Sequence, residues 1–298
     1  VSPKTTVECR GSIELYGHKY HCWKEKGHGF MRLREAIKQS CDIYFYEAAR
    51  RLGIDRLAIT ANKFGLGNKV FDILEEERSG LVPSTEWKLK NIGKGWVLGE
   101  TLISGIGQGY FQVTPIQLCL MTAQLANGGY QIEPRIVDDK YTLQKKIDAW
   151  REEFSSNNKI FSSNSLKKLY RNKENIKFVL DAMFRSTNEI YGTSFSSRIE
   201  DPKYQFAGKT GTAQVKRITE AERELDLETN QIPYKERDHA WYIAFGPYKN
   251  PRYALSVIVE HGGNGSTTAA PMATKLFKLI IDRHKIRQSM DEKKYLEI

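Results

Sequence analysis

Apolar residues recur at helical spacing in the first third of the chain. Between residues 31 and 52 they fall mostly three or four positions apart, as on one face of a helix: Leu33, Ile37, Ile43, Phe45, Ala49 and Leu52. Gly53 follows and is a typical helix terminator. A second helix is predicted over residues 55–64. Residues 1–30 carry short alternating stretches, such as 12–16, which predict a small β-rich or irregular lobe.

A capped apolar helix is predicted in the middle of the chain. Thr114 and Pro115 suit the N-cap and the first helical position, so a helix should begin there and run to about residue 127. Because this helix is apolar on most sides, we expect it to be buried. Residues 68–112 are predicted to be rich in loops. The polar residues 138–175 are predicted to form an exposed excursion.

Helix and strand patterns alternate in the last third of the chain. The pattern predicts a helix over residues 176–186, strands over 206–215, 240–246 and 253–260, and a terminal amphipathic helix over 273–284. A highly charged loop separates the first two strands, and the Asn250-Pro251 turn joins the last two. This order implies an antiparallel sheet backed by helices, which is an α+β fold.

The composition is that of an ordinary globular protein with a basic surface. The 298 residues are 40% hydrophobic and 28% charged. The net charge of +10 would suit nucleic acid, an anionic membrane face or an acidic polymer. No nucleic-acid-binding motif accompanies it, so we expect no nucleic-acid partner. No apolar run is long enough to span a bilayer. Val1 opens a connector-like stretch, and we expect a further region to precede it.

The tetrapeptide Lys209-Thr210-Gly211-Thr212 lies within the first predicted strand. A Lys-[Ser/Thr]-Gly triplet is one signature of serine acyl-transfer enzymes that act on D-alanyl peptides or β-lactams. The lysine charge and the threonine hydroxyl suit a substrate carboxylate. Gly211 leaves room for a peptide that adds to the strand edge. The backbone N–H of Thr212 suits a developing oxyanion.

A second candidate signature, Ser40-Cys41-Asp42, lies within the first helical stretch. In this chemistry the Ser40 hydroxyl would relay a proton, and Asp42 would orient Ser40 or the substrate backbone. The alternative is that Ser40 is an ordinary polar residue in the middle of a helix and that Asp42 is its solvated neighbour, with no role in catalysis. The third signature, Ser-x-x-Lys, carries the nucleophile. Its only formal match runs from Ser165 to Lys168, in the polar excursion and in the wrong order, and we reject it.

Several dispersed segments together resemble the transpeptidase domain of class B penicillin-binding proteins, and in particular its elongation-type members from Gram-negative rods. In chain order they are residues 40–46 (SCDIYFY), 53–56 (GIDR), 105–109 (GIGQG), 114–117 (TPIQ), 208–215 (GKTGTAQV), 237–248 (RDHAWYIAFGPY) and 260–263 (EHGG). The resemblance covers nearly the whole chain. Asp42 replaces the usual third-position Asn, a variant that these members tolerate.

The resemblance implies the penicillin-recognising serine-transferase fold, an antiparallel sheet flanked by helices with a mainly helical second lobe. The whole chain, 1–298, would be a transpeptidase domain without its N-terminal Ser-x-x-Lys segment. We divide it into a small Cys/His-rich lobe (1–30), a mainly helical lobe (31–200) and the later strands with the C-terminal helix (201–298). The cleft would lie between Ser40 and the 209–212 strand edge.

The resemblance also implies D,D-transpeptidation of peptidoglycan stem peptides through a serine acyl-enzyme. Ser40, Asp42, Lys209 and Thr212 would be the catalytic residues, and residues 209–212 would bind substrate. Substrate peptides ending in D-Ala-D-Ala, β-lactams, a SEDS-type glycosyltransferase and other elongation-complex proteins are the implied partners. The implied location is the periplasmic face of the inner membrane. This chain alone should be inactive. A β-lactamase or β-lactam sensor, and a scaffold without a nucleophile, are the alternatives.

Cys9, Cys22, His28 and Cys41 form a second constellation. Three thiols and an imidazole are a normal structural zinc shell, and the region is too short and polar to hold its shape by core packing alone. A disulfide such as Cys9–Cys22 or free thiols are the alternatives. The resemblance favours zinc, because several family members place zinc close to the Ser-x-Asp signature. His18 and His21 are spare ligands, and Cys119 fits a core thiol.

Overall fold

Four short strands build the N-terminal part of the computed structural model, which describes residues 2–71, 74–134, 136, 167–216, 227 and 229–296. They are β1 (Thr6–Cys9), β2 (Ser12–Leu15), β3 (His18–His21) and β4 (Gly29–Arg32). β1 pairs antiparallel with β4, and β2 with β3. The alternating pattern of this region therefore corresponds to real strands, closed by glycine-rich turns.

Eight α-helices lie in the described part of the chain. They are α1 (Leu33–Gln39), α2 (Asp42–Leu52), α3 (Ile54–Lys63), α4 (Thr85–Ile92), α5 (Leu98–Gly105), α6 (Pro115–Ala126), α7 (Lys173–Asn188) and α8 (Ala270–Leu296). The predicted helices 55–64, 115–127, 176–186 and 273–284 are all present. The described part of 68–112 is rich in loops, as predicted, but the prediction did not include α4 and α5, which lie within it. Both have only eight residues, too few for a clear periodic signal.

The single helix predicted over residues 31–52 is interrupted. Ser40 ends α1 in the left-handed conformation, with φ 53° and ψ 49°, and Cys41 becomes the N-cap of α2. The Cys41 N–H bonds to the Ala36 carbonyl at 3.0 Å, which closes the last turn of α1. The apolar pattern continues through the break because residues on both helices join one core with Cys9, Met31 and Leu102.

Helix α6 begins as predicted but is buried differently. The Thr114 hydroxyl accepts the Gln117 N–H, and the Gln117 side chain accepts the Thr114 N–H, which is a capping box. The fully buried side chains of α6 are nevertheless polar: Gln117, Thr122 and Gln124. The Gln117 amide donates to the carbonyls of Asn68 and Ser79, at 2.6 and 2.7 Å. Helix α6 therefore holds the backbone of the preceding loop through buried polar side chains. Its apolar side chains are partly buried or exposed.

A three-stranded antiparallel sheet forms the C-terminal part. Its strands are β5 (Ala207–Ala213), β6 (His239–Gly246) and β7 (Tyr253–Val259), in the order β5-β6-β7. Helix α8 covers one face, where the rings of Phe206 and Phe277 stack with centroids 5.0 Å apart. The mixed fold with an antiparallel sheet is thus confirmed. In the described residues, no helix is both long and apolar enough to cross a membrane.

Helix α7 brings the two candidate signatures together. It packs against α1 on one side and against β5 on the other. The buried Lys38 ammonium of α1 lies 3.1 Å from the Glu189 carboxylate at the end of α7. The end of α1, where Ser40 lies, is therefore held at a fixed distance from the strand that carries Lys209.

Candidate active site and cysteine-histidine cluster

Strand β5 presents the Lys209–Thr212 tetrapeptide on an edge. β5 is hydrogen-bonded to β6, with Thr210 opposite Tyr242, and no other described strand pairs with it. Gly208 permits this packing, because a Cβ there would lie 2.2 Å from the Tyr242 hydroxyl. Thr212 is exposed, whereas Lys209 and Thr210 are half-buried. A peptide could therefore add to this edge as a further strand.

The two candidate signatures meet across the cleft. The Lys209 ammonium donates a hydrogen bond to the Ser40 hydroxyl, although the two residues lie 169 positions apart. The same ammonium donates to the Thr210 carbonyl at 2.9 Å. The left-handed conformation of Ser40 is uncommon for a residue other than glycine. It turns the chain sharply between two helices, so that the Ser40 side chain faces β5.

The Asp42 carboxylate is held from the side of the N-terminal lobe. It accepts the backbone N–H of Trp23 at 2.8 Å, and the Trp23 indole N–H donates to the Gln39 carbonyl at 3.1 Å. Trp23 thus bridges the end of α1 and the start of α2. Sequence reasoning did not single out Trp23, because these contacts join segments that are far apart in the chain.

Burial shifts the pKa values of both charged groups in the cleft. Loss of hydration lowers the pKa of Lys209 to about 8, partly opposed by the nearby Asp42 charge. The pKa of Asp42 is raised to about 7, mainly by loss of hydration and secondly by the charge of Cys22. The hydrogen bond from the Trp23 N–H acts in the opposite direction and lowers it. At neutral pH the cleft therefore offers a cation beside a hydroxyl, which suits an anionic ligand.

Thr193 is a further residue of the site that carries no sequence signature. It follows α7, and its hydroxyl lies 3.0 Å from the Thr210 hydroxyl. Its backbone N–H donates to the Lys38 carbonyl of α1 at 3.2 Å. The preceding Gly192 was the only available hint of a tight turn here. Ser165, the rejected nucleophile candidate, lies outside the described residues.

The four predicted metal ligands converge beside Ser40 and Asp42. One atom each from Cys9, Cys22, His28 and Cys41 lies within 4.8 Å of all the others. The His28 Nδ1 atom is 3.6 Å from the Cys9 sulfur and 3.5 Å from the Cys22 sulfur. All four cysteines of the chain, including the remote Cys119, are free thiols in this structure. The spare candidates His18 and His21 lie at the two ends of β3 and are not members of the group.

Comparison with known proteins decides the family. A family model for the penicillin-binding protein transpeptidase domain matches residues 1–280. The chain belongs to the penicillin-binding protein transpeptidase family. Peptidoglycan D,D-transpeptidase MrdA of Haemophilus influenzae is 32% identical to this chain over 287 residues, 95% of the chain and 42% of the relative.

Solved structures of penicillin-binding proteins give the same result. The Helicobacter pylori PBP2–MreC complex matches with a TM-score of 0.75 and 32% identity, covering 95% of this chain and 46% of that one. Pseudomonas aeruginosa PBP2 in complex with WCK 5153 matches with a TM-score of 0.73 and 35% identity, covering 94% and 56%. The expected penicillin-recognising fold is thus confirmed. The chain spans less than half the length of the curated relative.

Proposed function

We propose that the full-length protein containing this chain is a serine D,D-transpeptidase of peptidoglycan. A serine outside these 298 residues attacks the carbonyl between the two D-alanines of a stem peptide. The amide bond breaks, the terminal D-alanine leaves with a proton, and a serine ester remains. An amine of a neighbouring stem then attacks the ester, which forms the cross-link and returns the proton to the serine.

The observation that carries the proposal is the hydrogen bond from Lys209 on β5 to Ser40 at the end of α1. A Lys-Thr-Gly triplet alone is common in loops. Here it lies on an open strand edge and contacts the second signature of the same chemistry. The combination supports acyl transfer and disfavours a scaffold role. The family match and the named D,D-transpeptidase relative favour transpeptidation over a β-lactamase or sensor.

Each residue of the cleft has a proposed role. Lys209 and Thr210 hold the substrate carboxylate, and Gly211 keeps the strand edge clear for the peptide backbone. Ser40 relays the proton to the leaving amine, and Asp42 orients the Ser40 turn. The Thr212 N–H supplies one half of the oxyanion hole, and the N–H of the nucleophilic serine supplies the other half.

Fluorescent-penicillin labelling tests this proposal. The full-length protein should form a stable covalent adduct, whereas the 298-residue chain should not, because it lacks the nucleophile. Lys209→Ala should strongly reduce labelling of the full-length protein. A stable adduct on the isolated chain that Ser165→Ala abolishes would show that the rejected Ser165 motif is the nucleophile. Rapid nitrocefin hydrolysis by the full-length protein would point to a β-lactamase.

We further propose that the cysteine-histidine cluster holds a structural zinc ion. Tetrahedral zinc with Zn–S of about 2.3 Å and Zn–N of about 2.0 Å separates its sulfur and nitrogen ligands by about 3.6 Å. The separations of 3.5 and 3.6 Å at His28 fit this geometry. The three sulfurs are nearly fully buried, and buried thiolates need a compensating charge. Zinc bound here would neutralise the charge of the cysteine thiolates. Through Cys41 it would also link the turn that carries Ser40 and Asp42 to the N-terminal region.

Metal analysis of the purified protein tests the zinc proposal. About one equivalent of zinc is expected, with Cys9, Cys22 and Cys41 protected from thiol reagents until a chelator is added. Less than a tenth of an equivalent, together with two cysteines that remain unreactive after chelation, would instead indicate a disulfide.

We propose a cellular setting by analogy with a relative. The solved Helicobacter pylori complex contains PBP2 together with MreC. By analogy, the full-length protein would act at the periplasmic face of the inner membrane, with a SEDS-type glycosyltransferase and other elongation proteins. Co-purification of tagged full-length protein from its own membranes, with a Lys209→Ala variant as an activity-independent control, would test these partners.

A further inference from the structure

The turn that follows α7 contacts both halves of the candidate active site through one residue, Thr193. Its backbone N–H donates to the Lys38 carbonyl, two residues before Ser40, at 3.2 Å. Its hydroxyl lies 3.0 Å from the Thr210 hydroxyl on β5. Thr193 therefore connects the segment that carries Ser40 to the strand that carries Lys209, on the side of the proposed carboxylate site.

The position of Thr193 is tightly fixed by its neighbours. A Cβ on Gly192 would lie 2.3 Å from the Ser186 carbonyl, so only glycine allows the turn to approach α7 so closely. The Ser194 N–H donates to the same carbonyl at 3.1 Å. Behind it, the buried Ser194 hydroxyl hydrogen-bonds to the hydroxyls of Thr187 and Tyr242, at 3.2 and 3.0 Å. The backbone of the turn that carries the Thr193 hydroxyl is thus held against α7 and α1.

Three hydroxyl groups form a row that leads into the cleft. The fully buried Ser186 hydroxyl lies 3.2 Å from that of Thr193, which in turn lies 3.0 Å from that of Thr210. Each hydroxyl has a single hydrogen, so the row can donate in only one direction at a time. If Thr210 donates towards Thr193, it has no hydrogen left for a ligand. If Thr193 donates to Thr210, the Thr210 hydrogen remains available.

We propose that Thr193 is a positioning residue, which donates to Thr210 and thereby directs the only Thr210 hydroxyl hydrogen at the carboxylate of the bound substrate. The inference rests on the proposed function, because it requires a carboxylate at Thr210. A carboxylate only accepts hydrogen bonds, so its arrival selects the direction from Ser186 to Thr193 to Thr210. The Lys209 ammonium, 3.4 Å from the Thr210 hydroxyl, can only donate and therefore reinforces this direction.

Acylation by a matched pair of ligands tests the role of Thr193 in the full-length protein. The probes are benzylpenicillin, which carries a free carboxylate, and its methyl ester, which does not. Thr193→Val keeps the shape of the side chain but removes its hydroxyl. We expect it to slow acylation by benzylpenicillin about five- to tenfold, as for loss of one directed hydrogen bond, and to leave the slow acylation by the ester within about twofold. Thr193→Ser should restore the wild-type ratio of the two rates.

Other results of this experiment would overturn either the role of Thr193 or the proposed function. Equal slowing with both probes would mean that Thr193 only supports the fold, and unchanged rates would mean that it does not act on Thr210. Either result overturns the inference while leaving the proposed function intact. Wild-type protein that no penicillin acylates would overturn the proposed function itself. Ser186→Ala serves if Thr193→Val fails to fold, and it should reduce the carboxylate-to-ester ratio by a smaller factor.

Discussion

Lys209 keeps its positive charge in surroundings that disfavour a charge. Burial lowers its pKa to about 8, so the ammonium is mostly protonated at neutral pH but only by a modest margin. The sequence identified this lysine through its Thr-Gly neighbours. It could not indicate the pKa, because the pKa depends on burial in the folded structure, where Lys209 contacts Ser40 from a distant part of the chain.

Alkaline pH should therefore weaken carboxylate recognition. Above about pH 8 the Lys209 amine becomes neutral, and acylation of the full-length protein by benzylpenicillin should fall as the pH rises from 7 to 10. The measurement is the acylation rate against pH. Lys209→Arg is the matched control, because its guanidinium stays charged over this range. An alkaline fall of the same size and midpoint in Lys209→Arg would assign the titration to another group.

Gly208 should be intolerant of even a methyl group. A Cβ there would lie 2.2 Å from the Tyr242 hydroxyl, which Thr187 and Ser194 hold by hydrogen bonds. We expect Gly208→Ala to cost about 1–3 kcal/mol in unfolding free energy, measured as a lower melting temperature. Gly95→Ala is the control, since nothing lies within 4 Å of its added Cβ. Equal melting temperatures for both variants would contradict the predicted clash.

At the scale of elements, the break between α1 and α2 is the feature that creates the site. Apolar spacing predicted helical structure on both sides of it, and that part is confirmed. The break itself gave no signal, since it contains neither glycine nor proline. Contacts from distant segments stabilise it instead, including the Trp23 N–H bond to Asp42. The same limitation explains why α4 and α5 were missed, whereas α6, with its Thr-Pro start, was found.

Substitutions at Ser40 should separate the role of its hydroxyl from that of its backbone. The left-handed conformation costs a non-glycine residue roughly 1 kcal/mol, so Ser40→Gly should melt at a higher temperature than Ser40→Ala. Because both variants lack the hydroxyl that contacts Lys209, both should lose about 100-fold in acylation rate. Near wild-type acylation by Ser40→Gly would show that the turn matters and the hydroxyl does not.

At the scale of the whole molecule, three separate regions contribute to one small volume. The N-terminal region supplies Cys9 from β1 and Cys22 and His28 from the segment between β3 and β4, the turn between α1 and α2 supplies Cys41, and the sheet supplies Lys209. The sequence pointed to the four residues of the cysteine-histidine group and to the two signatures that contact each other through Ser40 and Lys209, because the chemistry constrains residue type and spacing. Residues such as Trp23 and Thr193 could not be predicted, because their contribution is a contact across the fold and not a chemical signature.

Removal of the proposed zinc should destabilise the folded protein, because the ion would link the N-terminal region to the turn between α1 and α2. A strong chelator is expected to lower the melting temperature of the full-length protein by several degrees, and added zinc should restore it, because a ligand that binds only the folded state stabilises it. Cys22→Ser should lower the zinc content and abolish the chelator effect. The control is Cys119→Ser, whose sulfur lies near the Ala254 carbonyl and outside the cluster. Loss of zinc in both variants to the same degree would contradict the assignment of ligands.

The long separation of Ser40 and Lys209 along the chain has a consequence for protein synthesis. Residues 41–208 lie between them and must be made before the two can meet, and β6 must follow before β5 has a partner. Under the proposed function, a growing chain therefore cannot react with penicillin until residue 209 and the strand that follows it have been made. If the proposed function holds, penicillin labels only copies whose last strands have docked, and labelling then counts folded molecules and not total protein.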